Sequence, residues 1–335
     1  MNGEKTTSGG IDFVIPWVDG SDPAWQREFV AARLTAGGDA SVARFRDWHT
    51  LRYWFRAVER FAPWVRRIHF ITWGHLPEWL DTAHPRLHVV RHADYLPAQY
   101  RPTFNSNTIE LNIHRIEGLS ERFVLFNDDT FLGRPAAETD FFLGDVPRDM
   151  ARLSIPAPEP IAHTILNAMM LIAARYKPRQ VVRRNPGKWF SRHYRASDLM
   201  KNLLLLPWSV FPGISDHHMP QAYRKSSFER AWQLWGAEID ATCRHPFRTS
   251  DDLSHWLIRY DTLCRGEFRP TSFADCAQIT LSDTGIDPVR RDIARSRYRM
   301  FCLHDDVRIA DPDTVARTLC GAFGELLPER SSFER

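Results

Sequence analysis

Short apolar runs alternate with amphipathic stretches through the first part of the chain, and this alternation limits the available folds more than any other feature. IDFVIPWV (Ile11–Val18), RIHFITW (Arg67–Trp73), LHVVRH around Val89 and Val90, and FVLF (Phe123–Phe126) read as buried strands. In FRDWHTLRYWFRAVERFAPW, residues Leu51, Trp54, Phe55, Val58 and Phe61 recur on one face of a helix predicted to begin near Asp47 and to stop at Pro63. A second helix is predicted to start at Asn107, with Glu110 three residues on as in a capping box. Ile109, Ile113 and Ile116 mark its buried face, and Gly118 ends it. Strands alternating with such helices specify an α/β sheet flanked by helices.

In open sheets of this kind, ligands bind beyond the carboxyl ends of the strands. FVLF runs directly into Asn127, Asp128 and Asp129, which places an amide and two carboxylates at that edge. The turn-forming DGSDP (Asp19–Pro23) follows the first strand and falls at an equivalent edge, so both clusters are expected to face one cavity. Adjacent carboxylates at a strand end suit Mg²⁺ or Mn²⁺ held against a diphosphate, although Asn and Asp equally build turns and caps. In WVDGSDP, Gly20 would allow close approach to a nucleotide, with Asp19 or Asp22 on base, ribose or metal; a plain turn is the alternative. HHMP (His217–Pro220) offers a general base. HPFR (His245–Arg248) offers a guanidinium fork for a phosphate, or a surface ion pair.

The remainder bounds function more broadly. The chain has 335 residues and a net charge of +3, too mild to point to nucleic acid and compatible with a small anionic substrate. Its five cysteines form no CxxC pair and are odd in number, as for reduced thiols in a cytosolic protein rather than a disulfide framework or zinc site. The N-terminus has no apolar core of a signal peptide, and the longest apolar run considered, Leu203–Leu206, is far too short to span a bilayer. Any membrane role would be peripheral, at the inner face. Residues 175–195 carry six Arg, two Lys and no acid, broken by Pro178 and Pro186: either a solvated loop or a cradle for a polyanionic acceptor. With twelve Trp, some are expected to stack on sugar rings. The expected organisation is a disordered 1–10, an α/β nucleotide-sugar half over 11–150, and a mostly helical 151–310 completing the same catalytic domain. A C-terminal helix and tail fill 311–335, frayed beyond Leu327.

Taken in order, these segments resemble the Stealth family of sugar-phosphate transferases. That family includes bacterial capsular and exopolysaccharide phosphotransferases and the catalytic part of the lysosomal-enzyme N-acetylglucosamine-1-phosphotransferase. The resemblance is carried by IDFVIPWVDGSDP; by RFRDWHTLRYWFRAVERFAPWVRRIHFITWGHLPEWL through HPRLHVVRHADYLP to PTFNSNTIELNIHRIEGLSERFVLFNDDTFLG; and by DHHMPQAYRKSSFERAW with HPFRTSDDL. A shorter fourth segment is MFCLHDD (Met300–Asp306), where His304 stands in place of the family's usual Asn. No calcium-loop, Notch-like or anchor segments are seen, as in the compact bacterial form.

The resemblance implies a Rossmann-like nucleotide-sugar transferase fold. It implies that Trp17, Val18, Asp19 and Gly20, with Asp22 close by, form the nucleotide edge, and that Arg46, Asp47 and Arg52 shape the donor pocket. Asn105, Asn107, Glu110 and His114 would lie near the reacting phosphate, with Asn127 beside them. Asp128 and Asp129 would serve metal, diphosphate or acceptor, and His218 and Arg248 would complete the catalytic centre. The implied reaction is transfer of sugar-1-phosphate, as N-acetylhexosamine-1-phosphate, from a UDP-type donor to a glycan hydroxyl, with Mg²⁺ (or Mn²⁺) and release of NMP. His218 is the first candidate for the base and Asp129 the second. The alternatives are a metal-dependent glycosyltransferase that releases NDP, and a non-catalytic nucleotide-sugar or polysaccharide-binding protein.

Overall fold

The computed structural model describes residues 9–39, 45–157, 162–305 and 308–335. Most of the expected disordered N-terminus, and Asp306 of the fourth segment, lie outside the described residues. The strands in chain order are β1 (Asp12–Pro16), β2 (Arg67–Thr72), β3 (Leu87–Arg91), β4 (Arg122–Leu125), β5 (Thr130–Leu132), β6 (Phe142–Leu143), β7 (Val146–Asp149), β8 (Gln221–Arg224), β9 (Arg269–Pro270), β10 (Ala277–Thr280) and β11 (Met300–His304). The main sheet has the order β3-β2-β1-β4-β8. Its first four members are parallel, in the 3-2-1-4 order of a Rossmann half, and β8 runs antiparallel along β4.

β1 and β4 are direct neighbours, with Val14 opposite Leu125. DGSDP and NDD therefore leave the same edge of adjacent strands, as their sequence positions led us to expect. The strand centres are largely apolar because both faces are covered, with Asp12 and His69 the buried polar pair among them. Phe13 and Ile15 of β1, with Val124 and Phe126, point into one core; Val14, Phe123 and Leu125 point into the other. The first core is closed by the helices Leu51–Phe61 and Pro312–Leu326, the second by Lys225–Cys243 and Trp256–Arg265.

All five apolar positions expected on the first crossover helix are buried. That helix starts at Leu51, not near Asp47, which leaves Asp47 in the non-helical approach. The second helix is Ser106–Leu111, and its N-cap is Asn105 rather than Asn107: the Asn105 side chain accepts the Asn107 N–H. Glu110 is thus freed from any capping role. A 3₁₀ turn, Ile113–Arg115, continues the chain towards β4.

Two smaller sheets complete the molecule, β10-β11-β5 and β6-β7-β9. The turn between β4 and β5 passes the chain from the main sheet to the first of these, with Thr130 N–H on the Asn127 carbonyl at 3.1 Å. The termini are better held than their polarity suggests. The carbonyls of Gly9 and Gly10 accept from Arg122 and Ser120. Beyond Leu327 the tail is not frayed: Phe333 is fully buried against Phe55 and His84, and Arg56 forks onto Glu334 at 2.7 and 2.8 Å. Among the described residues no helix is long and apolar enough to cross a membrane.

Truncating this tail anchor should be costly. Phe333→Ala is expected to lower unfolding stability by about 3–5 kcal/mol in urea titration. A loss below about 1 kcal/mol would mean that the tail is dispensable to the core.

Candidate active site

The β4–β5 turn carries the site. Asn127 N–H bonds to Thr130 Oγ1, which in turn donates to the Asn127 carbonyl, so the amide and carboxylates are presented on a closed turn. The expectation of a turn is met, and the same element presents the amide and carboxylates proposed for the site. The Asn127 amide donates to His218 Nε2 at 3.1 Å, and Asp129 Oδ2 lies 3.7 Å from the same nitrogen. The Asp129 carbonyl accepts Leu303 N–H at 2.8 Å, which docks the end of β11 onto the turn. Cys302, one residue earlier, puts Sγ 3.2 Å from Asp129 Oδ2. Burial, and then the charge on Asp129, push the Cys302 thiol far up, so it remains protonated and donates to the carboxylate.

His218 adopts the left-handed region, φ 42°, which is costly for a residue with a Cβ. Its neighbours impose this conformation. His217 is buried, its Nε2 is 3.2 Å from Asp149, and its Nδ1 accepts the Met219 N–H. Burial holds the His217 ring at a pKa of about 4, so it stays neutral. Asp149 in turn receives Arg259 through Nε at 2.8 Å and Nη2 at 2.9 Å, and Gln221 at 3.1 Å. Arg259 Nη1 reaches the Ser215 carbonyl and Asp216, and Tyr260 donates to Asp216. HHMP therefore divides its labour: the first histidine anchors the segment and the second faces the cleft.

Carboxylates gather around the turn. Glu110 is nearly buried, and that burial, partly offset by Arg248 and Ser106 and reinforced by Asp129, pushes it up to about 7. Asp128 reaches solvent at the tip of the turn. Its close packing and the charges of Asp129, Asp47 and Glu110 still move it above the usual carboxylate range. Asp47 is raised by burial, with Asp19 adding to the effect against the opposing His49 contacts. Asp129 Oδ1 is buried without a hydrogen-bond partner. The orphaned oxygen belongs to a residue in a group that could hold a cation: among the described residues, ligand atoms of Asp129, His218 and Cys302 lie within 4.8 Å of one another, while Asp128 is exposed beside them.

Residues 9–34, 44–149 and 217–259 match, in turn, conserved regions 1, 2 and 3 of the Stealth protein. The capsular polysaccharide phosphotransferase WcwK of Streptococcus pneumoniae is 38% identical over 330 residues, covering 97% of this chain and 98% of its own. The exopolysaccharide phosphotransferase cps2G of Lactiplantibacillus plantarum is 37% identical, covering 98% of both. The receptor polysaccharide phosphotransferase WefC of Streptococcus oralis is 33% identical, covering 97% of this chain and 99% of its own. The chain belongs to the Stealth family of phosphotransferases. The galactosyltransferase LgtC, solved with donor and acceptor sugar analogues, overlaps 96% of this chain and 98% of its own at 11% identity and a TM-score of 0.35.

Charged residues of the three Stealth regions act on one another: Asp19 on Asp47, Asp47, Asp129 and Glu110 on Asp128, Arg248 on Glu110, and His218 on His255. Region 1 brings Asp19, region 2 brings Asp47, Glu110, Asp128 and Asp129, and region 3 brings His218 and Arg248. Arg248 donates to Ser106 Oγ beside Glu110 and lines a cavity of about 660 Å³ together with His163 and His245. Arg46 is drawn in by Asp305 at 3.1 Å, just past the end of β11.

Other expected ligands turn out to shape the site from behind. Trp17 is buried and stacks on Phe70, so it offers no face to a nucleotide. Val18 packs on the aromatic cluster of Trp25, Phe29, Phe104 and Phe247. Gly20 is required by the protein's own backbone, since a Cβ there would lie 2.3 Å from the Phe45 carbonyl. Asp22 caps the helix Pro23–Thr35 through the N–H groups of Ala24 and Trp25. Asn105 and Asn107 are buried with their amides on Asp252, tying the second helix to the Arg248 turn. Arg52 lies over Trp79.

His114 is misplaced altogether. The second helix ends at Leu111, and the 3₁₀ turn Ile113–Arg115 sets the His114 ring against Phe228 and Trp232 of the helix Lys225–Cys243. Arg259, Asp149 and Asp252 were missed. The available signal for Arg259 was an arginine on the apolar face of DLSHWLIRY.

Two outcomes are expected. Arg259→Met strands the Asp149 charge and should cost about 3–5 kcal/mol, and adding Asp149→Leu should recover part of it. A loss under about 1 kcal/mol by the single variant would mean that the pair is not buried in solution. For Glu110, the folded value of about 7 exceeds the ordinary 4.5. Its contribution is therefore full below pH 4.5 and is lost as pH rises through 7. Glu110→Gln should gain on wild type across that window, by roughly 1–3 kcal/mol at pH 8. An advantage independent of pH in thermal melts would show Glu110 ionised throughout.

Proposed function

We propose that this Stealth protein transfers N-acetylhexosamine-1-phosphate from a UDP-type nucleotide sugar to a hydroxyl of an acceptor glycan. The product is a phosphodiester in capsule or exopolysaccharide synthesis, and NMP leaves. The supporting observation is His218 Nε2, poised between the Asn127 amide and the Asp129 carboxylate at the edge where β1 and β4 end. In the resting site the Nε2 lone pair accepts the Asn127 N–H. An acceptor hydroxyl that displaces this amide hands its proton to Nε2, and Asp129 then stabilises the imidazolium. The freed oxygen attacks the phosphorus that carries the sugar, and the bond from that phosphorus to the NMP oxygen breaks.

Phosphoryl transfer depends mostly on position and charge. The Arg248 guanidinium, beside a cavity of ligand size, supplies positive charge to the donor's phosphates. A Mg²⁺ or Mn²⁺ ion held by Asp128 and Asp129 would neutralise diphosphate charge. With Oδ2 engaged by Cys302 and facing His218, Asp129 serves as partner to the base rather than as the base itself.

Purified protein given a panel of nucleotide sugars, Mg²⁺ and mixed oligosaccharides should accumulate NMP only when acceptor is present, and EDTA should stop it. Release of NDP would instead place the attack at the anomeric carbon and make the chain a glycosyltransferase. His218→Ala should lower turnover by roughly 10²–10⁴-fold. Near-normal turnover in that variant would remove His218 from the role of base.

A further inference from the structure

The helix Ala196–Leu205 is built inside out. Its buried residues are Asp198 and Asn202. Asp198 accepts Arg152 Nη1 at 2.7 Å, and the Asn202 side chain binds the Leu153 N–H and the carbonyls of Ala151 and Trp189. Its solvent face instead carries Met200, Leu203 and Leu204, exposed by 53, 56 and 62%, at the i, i+3, i+4 spacing of one stripe. Trp208 and Val210 extend this apolar surface beyond the helix. The exposed Ile155 lies near its far end, where Leu153 bridges Ile214 and Ser154 donates to Gly213.

The charges around this stripe are of one sign. Between Arg175 and Val210 the sequence has nine Lys and Arg and a single acid, Asp198, which is buried and paired. Arg179 reaches back to the Pro207 carbonyl at 2.7 Å, so the basic helix Pro178–Arg184 stands beside the Trp208 turn. Arg183, Arg184, Arg192, Arg195 and Lys201 are exposed.

We propose that this face docks on an anionic lipid surface, with Leu203, Leu204 and Trp208 at the acyl boundary and the arginines at the level of the headgroup phosphates. A free polyanionic glycan would satisfy the arginines but leave the leucines and Trp208 in water. A second copy of the chain would cover the apolar stripe but bring two cationic rims together. An acidic bilayer surface meets both requirements. The face is also coupled to the site. Arg152 bonds both Asp198 and Ser215, and only eight residues, at most about 28 Å of chain, separate Val210 from His218. Docking therefore orients the cleft toward acceptors presented at the surface. This last point rests on the function proposed above; the docking itself does not.

The test is co-sedimentation of the full chain with vesicles of phosphatidylcholine alone or mixed equally with phosphatidylglycerol. Binding is expected on the mixed vesicles, weakening about tenfold or more between 0.1 and 1 M salt. The double variant Leu203→Glu/Leu204→Glu should lose binding, and Arg183→Glu/Arg184→Glu should lose its salt-dependent part. Both variants should keep the wild-type melting curve and turnover on a soluble acceptor. No binding by wild type, or equal binding by Leu203→Glu/Leu204→Glu, overturns the proposal. A dimer in light scattering that this variant dissolves also overturns it, in favour of a second copy. Vesicle binding without phosphoryl transfer would uphold the docking face while refuting the enzymatic assignment.

Discussion

The fork of Arg259 on Asp149 fixes the stretch of the site that no sheet or helix holds. Residues 215–220 are irregular, yet they carry His218 in a backbone conformation that would relax if unrestrained. Both partners are almost wholly buried, and taking two charges out of water costs several kcal/mol for each ion. That cost is offset only because both carboxylate oxygens and all three guanidinium nitrogens find partners: His217, Gln221, the carbonyls of Ser215 and Met150, and Asp216. The same groups tie the end of β7, the start of β8 and the helix Trp256–Arg265 together. A hydrophobic replacement could match the stability. It could not also specify where the segment between them must lie.

The β4–β5 turn depends on a second constraint, the junction of two sheets. β4 ends in the main sheet and β5 begins in the small one, so residues 127–129 lie where neither ladder uses their side chains. Two glycines permit this closeness. A Cβ on Gly20 would meet the Phe45 carbonyl, and one on Gly133 would meet the Tyr298 carbonyl at 2.4 Å. The approach to Asp47 is thus drawn onto the end of β1, and β11 onto β5. What results is a set of carboxylates closer than water alone would favour. Protonation of some of them, or a bound cation, is the physical means of relieving that repulsion.

The sheet and its active edge were legible because interior parallel strands, buried on both faces, write themselves as unbroken apolar runs. NDD drew notice because it follows an apolar run directly, though such residues also build turns, and HHMP, which precedes β8, was singled out for its histidines and by the family resemblance. Helix caps were readable only to within a residue or two, as with Asn105 for Asn107, since either amide satisfies the same local pattern. His114 lies elsewhere because the helix that carries Glu110 stops at Leu111, so the i, i+4 relation that would have set the two side by side is broken by the 3₁₀ turn. Gly20 and Asp22 show that a motif can be needed by the protein's own backbone before any ligand. Arg259 and Asp149, 110 residues apart, leave no local trace of their pairing. The tail was misread because SSFER is polar around one phenylalanine, and the burial of Ser331 and the Glu334 side chain beside Phe333 depends on partners far away in the sequence.

A net charge of +3 conceals a strongly polarised molecule. Acids are concentrated where β1 and β4 end, and cations where the 175–210 segment meets solvent. Each would be unfavourable in isolation, as like charges crowd within a Debye length. Arg152 sits between them, neutralising Asp198 on one side and bonding Ser215 on the other. An enzyme arranged this way needs no strong overall charge to sort its ligands. On the proposed function, the acidic cluster would need a cation before it tolerated a diphosphate, while the basic flank would take an anionic surface directly. Separation of the two regions would keep a cation among the carboxylates and an anionic partner on the flank from competing for the same charges.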